Sequence, residues 1–138
     1  ADIRLSVDMS LLEKDMDAYL DDKYEISVRG GRGVIRGVNA RSVLIGVYRF
    51  FRECGCVFVR PGVNGDRIPR LSVKDCTVEL VCRPSYRFRT ITIEGANSLG
   101  DVLSLIDWSI KNGFNAYFTQ FRDSNTFLNA GTIGSATI

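Results

Sequence analysis

The stretch "YRFRTITIEGANSLGDVLSLIDWSIKNGFNAYFTQ" at 86–120 constrains the fold more than any other part of the chain. Phe88, Ile91 and Ile93 read as a strand that ends at Glu94. Ser98 is a helix N-cap, and Leu99, Val102, Leu103, Ile106 and Ile110 then recur along one face until Gly113 stops the helix. A second strand follows in "FNAYFTQF" (114–121). A crossover of roughly 20 residues joins strands that run parallel, since an antiparallel pair needs only a tight turn. A lone strand–helix–strand unit covers one face of its strands and leaves the other open. It therefore has to lean on something else.

The first 82 residues supply that support. "IRLSVD" (3–8) alternates apolar and polar residues, as a half-buried strand does. "DMSLLEKDMDAYLDD" (8–22) reads as a short helical turn or a polar loop. In "YEISVRGGRGVIRG" (24–37), two strands flank a glycine turn and predict a β-hairpin. The glycines do not form a phosphate cradle, because Gly33 opens into β-prone residues rather than a helix and no Gly-Lys-Ser/Thr follows. "NARSVLIGVYRFFREC" (39–54) is an amphipathic helix capped by Asn39, with Gly55 suited to the left-handed position after its end. "CVFV" (56–59) is a short strand, 63–75 a connecting loop, and "CTVELV" (76–81) is extended. The expected class is α+β, a small sheet of a β-hairpin and further strands packed on one main amphipathic helix.

Composition removes several function classes. The formal net charge is +2 and the arginines are scattered, so neither a nucleic-acid arm nor an anionic membrane surface is indicated. No apolar run approaches the ~18 residues that span a bilayer. The start, "ADIRLSVDMS", shows no basic region followed by an apolar core, so no signal peptide is expected there. The chain has no histidine, which rules out Ser-His and Cys-His catalytic pairs within it. Cys54, Cys56, Cys76 and Cys82 lack paired Cys-x-x-Cys hooks; they read as small buried hydrophobes, and no metal or cofactor is expected. The acidic group Asp15, Asp17, Asp21 and Asp22 lacks the glycine and terminal glutamate of a calcium loop and reads as a solvated loop.

The order of these motifs carries a resemblance. A helix containing Gly46, Tyr48 and Phe50 leads to a strand ending in Pro61 and Gly62. An Ile68-Pro69-Arg70 loop follows, and then Arg83, Pro84, Tyr86, Phe88 and Arg89 enter the next strand. This pattern, over about residues 24–121, resembles the small α/β domain preceding the catalytic (β/α)₈ barrel of family 20 β-N-acetylhexosaminidases, which is also seen in alpha-glucuronidases. The resemblance implies that 1–82 is that accessory domain. It further implies that 83–138 is the start of a truncated catalytic barrel, a partial TIM-barrel βαβ unit whose catalytic acids lie on later strands.

The resemblance also implies substrate contacts. Arg89 matches the arginine that holds sugar hydroxyls at the start of the first barrel strand, a task suited to the fixed donors of a guanidinium. Glu94 and Gln120 would stand at strand ends, where barrel enzymes bind their substrates. None of these is a catalytic residue. Of the aromatics, Trp108 is the candidate sugar platform and the others read as core. The implied partner is carbohydrate, through a glycoside hydrolase parent, with homo-oligomerisation expected through exposed barrel strands carrying Ile91, Ile93 and Phe118. Two other readings stay open: a stand-alone non-catalytic α/β binding or scaffolding domain, and a redox protein using "CGC", which requires a low-pKa thiol at Cys54 or Cys56.

Overall fold

In the computed structural model, residues 2–94 and 98–120 are described. The hairpin forms as its sequence demands. β2 (Tyr24–Arg29) and β3 (Arg32–Gly37) pair antiparallel across Gly30 and Gly31. Both glycines have positive φ (56° and 70°), the geometry whose twist matches that of the flanking strands. β1 (Asp2–Val7) lies parallel to β3, and β6 (Val78–Cys82) lies antiparallel to β2. The sheet order is therefore β1-β3-β2-β6, with the hairpin at its centre.

Along β2 the side chains alternate strictly. Tyr24, Ile26 and Val28 are buried, while Glu25 and Ser27 sit on the wetter face. α1 (Ala40–Glu53) lies over the apolar face, and its N-terminus is closed by Asn39, whose side chain accepts from the Ser42 N–H. Ile45 and Phe50 of α1 join Tyr24, Ile26, Val28, Ile35, Cys76 and Val78 in one core. Helix and sheet meet closely at two glycines. A Cβ at Gly46 would come within 3.0 Å of the Ile35 side chain, and one at Gly37 within 2.6 Å of the Val43 backbone nitrogen.

The strand–helix–strand unit closes as its crossover length requires. β7 (Thr90–Glu94) and β8 (Ala116–Gln120) pair parallel and in register, with α2 (Leu99–Lys111) between them in sequence. Ser98 and Asp101 form a reciprocal capping box at the start of α2. The unit is not separate from the first 82 residues. Ile110 of α2 packs against the core under α1. The Trp108 indole N–H donates to the Phe58 carbonyl at 2.9 Å, and Lys111 pairs with Asp66 at 2.8 Å.

Four expectations need correction. The 63–75 segment is more than a loop: β5 (Asp66–Arg67) pairs with β4 (Val57–Phe58), and a 3-10 turn spans Val73–Asp75. Ile93 is not a sticky face, being buried at 1% exposure, whereas Phe118 on β8 is exposed. Trp108 is half-buried and tied to Phe58 rather than presented as a platform. Asp22, read as part of a solvated loop, is buried. The fold generates one direct test. Gly37→Ala forces a methyl against the backbone of α1, which cannot swing aside as a side-chain tip does. Urea unfolding is expected to show a loss of about 1–3 kcal/mol with little change in m-value; an unchanged midpoint would show that α1 is not seated as described.

Candidate functional site

Among the described residues, a dense polar constellation lies where the two parts meet. Residues 13–22 run past the end of the sheet as a series of turns. Asp17 organises them: its carboxylate accepts from the Tyr19 and Leu20 N–H groups, while its own N–H donates to Asp21. This places Asp15, Asp21 and Asp22 along one wall of a cleft of about 350 Å³. The opposite wall is the segment 83–89. Pro84 keeps the residue before it extended. From 86 to 89 arginines and aromatics alternate: Arg87 and Arg89 turn toward the aspartates, while Tyr86 and Phe88 are exposed.

Each arginine meets its own partner. Arg83 binds Asp15 through two nitrogens at 2.6 and 3.2 Å, and also reaches Glu13. Arg87 grips Asp21 in a bidentate pair at 2.7 and 2.8 Å. The Arg83 hydrogen bond holds Asp15 below its ordinary carboxylate value, and the Arg87 hydrogen bond does the same for Asp21. Glu13 is lowered chiefly by its hydrogen bond from Lys23, and Asp17 by the two backbone donors it accepts.

Asp22 is the innermost member, with a side chain of 0% exposure. One carboxylate oxygen accepts from Arg41 Nε at 2.9 Å and from the Ser42 hydroxyl at 3.0 Å, both on α1. The other accepts from Arg89 at 2.6 Å and from the Asn115 amide at 2.8 Å. One buried carboxylate thus collects donors from α1, from the entry to β7 and from the entry to β8. Asn115 strengthens the joint by accepting from the Arg89 backbone N–H and donating to the Arg87 carbonyl.

Arg89 is bound into this joint at the entry to β7. Its guanidinium donates to Asp22 and to the carbonyls of Gly113 and Tyr86. It stands just before β7, at the amino end of the parallel pair, whereas Glu94 and Gln120 are register partners at the carboxyl end. Five residues of strand at ~3.3 Å each separate the two ends by roughly 17 Å. The structure therefore brings Glu94 and Gln120 together and leaves Arg89 apart from them. Chemically, the cleft is a row of ionised, paired groups.

The reading of "CGC" as a reactive redox pair required a lowered thiol pKa. Burial, followed by a hydrogen bond with Cys76, pushes Cys54 up to about 12, and burial raises Cys56 as well. Among the described residues, no group of three or more His, Cys, Asp or Glu is arranged to hold a metal ion. Asp22 was visible in the sequence only as one acid among several; the Arg41-Ser42 pair at a helix start, one turn from an N-cap, was its faint signal. No family model matches the chain, and no curated protein matches it.

The site yields two expectations. Asp22→Ala leaves Arg41 and Arg89 without their shared counter-charge, and equilibrium unfolding is expected to show a loss of about 3–5 kcal/mol. A loss below about 1 kcal/mol would remove Asp22 from its central place. The second concerns acid. Glu13, Asp15, Asp17 and Asp21 have folded pKa values below their unfolded ones. Their contribution is present above the unfolded values, near pH 4, and is lost as pH falls through the folded values. Melting temperature measured from pH 6 downward is expected to hold until about pH 4 and then drop, and to drop less in Arg83→Gln/Arg87→Gln.

Proposed function

We propose that this chain belongs to a carbohydrate-processing glycoside hydrolase. Residues 1–82 serve as its accessory α/β domain, and 83 onward enters a (β/α)₈ catalytic barrel. The observation that best supports this reading is the parallel β7-α2-β8 unit, packed through α2 against α1 of the first 82 residues. In such an arrangement the accessory layer sets the tilt of the first barrel strands, and the Asp22 joint is the part that transmits it. The catalytic carboxylates belong to later strands, so the residues described here support and position rather than cleave.

In this reading the substrate contacts fall at the carboxyl ends of β7 and β8, the end at which barrel enzymes bind. Glu94 and Gln120 are the residues assigned there. Arg89, at the opposite end, serves the joint. The uncovered side of β8, where Phe118 is exposed, is the surface that further barrel strands or a second copy would cover.

The test begins with the coding sequence after residue 138. It is expected to encode a further ~200 residues of alternating strands and helices bearing paired carboxylates. The full-length protein is expected to hydrolyse aryl glycosides of N-acetylhexosamine or glucuronic acid, and Glu94→Ala or Gln120→Ala to reduce kcat/KM by about tenfold or more. A stop codon directly after Ile138 would defeat the reading and favour a self-sufficient binding domain.

A further inference from the structure

β1 forms one margin of the four-stranded sheet and is paired on one side only, to β3. That pairing is continuous from Asp2 to Val7, and no bulge, proline or lysine blunts the free side. The Asp2 and Asp8 N–H groups donate toward β3, to the Gly31 and Gly37 carbonyls. Backbone groups alternate sides along a strand, so those of Ile3, Leu5 and Val7 face the open margin. Side chains alternate between faces as well. Ile3 packs against the core under α1, which puts Leu5 and Val7 on that same face, where they are 54% and 55% exposed. Arg4, Ser6 and Asp8 lie on the other face, where Asp8 meets Arg36. Arg4 is exposed, and among the described residues it has no ion-pair partner. Asp8 is itself extended, with φ −136° and ψ 99°, so the line of the strand carries on through it.

The run Arg4-Leu5-Ser6-Val7-Asp8 is self-complementary when laid antiparallel on itself. Arg4 then faces Asp8, Leu5 faces Val7, and Ser6 faces Ser6. We propose that β1 is a homodimer interface, in which the open margins of two copies pair antiparallel about a two-fold axis at Ser6 and join the two sheets into one.

Charge selects this register. A two-fold axis perpendicular to the sheet keeps each face on its own side, so it passes through a residue rather than between two. An axis at Arg4 sets two arginines against each other, and an axis at Leu5 sets Asp2 against Asp8 of the second copy. An axis at Ser6 instead makes two Arg4–Asp8 pairs, and opposite charges placed across from each other stabilise a strand pair where like charges oppose it. Leu5 and Val7 supply the hydrogen-bonded pairs. The Arg4–Asp8 and Ser6–Ser6 pairs fall at the non-hydrogen-bonded positions, where side chains come closest. The 3-10 turn at Met9–Leu11 ends the match. The opposite margin, β6, has no such pattern: its one charge, Glu79, is already engaged by Ser27 and Arg29. The paired stretch is short, which makes a weak dimer that depends on concentration. This inference does not depend on the carbohydrate reading.

The experiment is sedimentation velocity of the 138-residue chain from about 10 μM to about 1 mM. A monomer–dimer equilibrium is expected, and Arg4→Asp, which sets an acid against Asp8 of the second copy, is expected to raise its Kd by about tenfold or more. Facing Cα atoms of a non-hydrogen-bonded pair stand ~4.5 Å apart, within reach of a disulfide. Under mild oxidation Ser6→Cys is therefore expected to give a covalent dimer whose peptide map links position 6 of one copy to position 6 of the other, while Leu5→Cys does not link to itself. Three results overturn the proposal: a chain that stays monomeric throughout, a dimer that Arg4→Asp leaves unchanged, or self-linkage of Leu5→Cys in place of Ser6→Cys. A second copy bound over β8 would give the second of these. Sedimentation of the unsubstituted chain decides the first without any variant.

Discussion

A carboxylate with no exposed surface, Asp22, holds the two parts of this protein in their relative position. Burying a charge is costly unless every lone pair is answered and the charge itself is neutralised. Both conditions are met: Arg41 and Ser42 answer one oxygen, Arg89 and Asn115 the other. The four partners come from three different elements. The carboxylate is therefore satisfied only when α1, β7 and β8 are all in place, and moving any one of them exposes an unpaired charge. The outer pairs, Arg83–Asp15 and Arg87–Asp21, are solvent-facing and weaker, and they extend the same seam toward the surface.

Around that joint the apolar forces divide the work. The core under α1 is built from β-branched and aromatic residues of β2, β3 and β6, and it reaches α2 through Ile110. Gly37 and Gly46 let the helix approach the sheet closely enough for that core to be dry. The seam is thus apolar at its centre and ionic at one end, a combination that fixes orientation as well as association, since ion pairs are directional where apolar contact is not.

This geometry puts Arg89 at one end of the parallel pair and the register partners Glu94 and Gln120 at the other. Arg89 carries five donors, but its guanidinium is committed to Asp22 and to backbone carbonyls at the amino end of β7. Glu94 and Gln120 are brought side by side only because β7 and β8 pair parallel with no stagger. Of the three residues expected to share one ligand, the strand direction keeps two together and holds the third a full strand length away.

Much of the local structure was legible along the chain. The Gly30-Gly31 turn, the caps at Asn39 and Ser98 and the period of α1 and α2 are decided by residues within four positions of one another, and all formed where expected. The parallel direction of β7 and β8 followed from crossover length alone. What did not follow was anything set by distant residues. The place of β1 beside β3, the pairing of the two-residue β4 and β5, and the burial of Asp22 each depend on partners 8 to 93 positions away. An aspartate in an acidic run looks solvated until arginines from two other elements converge on it. Local sequence determined which elements exist, because propensity, capping and periodicity act between neighbours. The tertiary structure decided what Asp22 and Arg89 do, because the free energy of a buried charge is settled by whatever the fold brings against it.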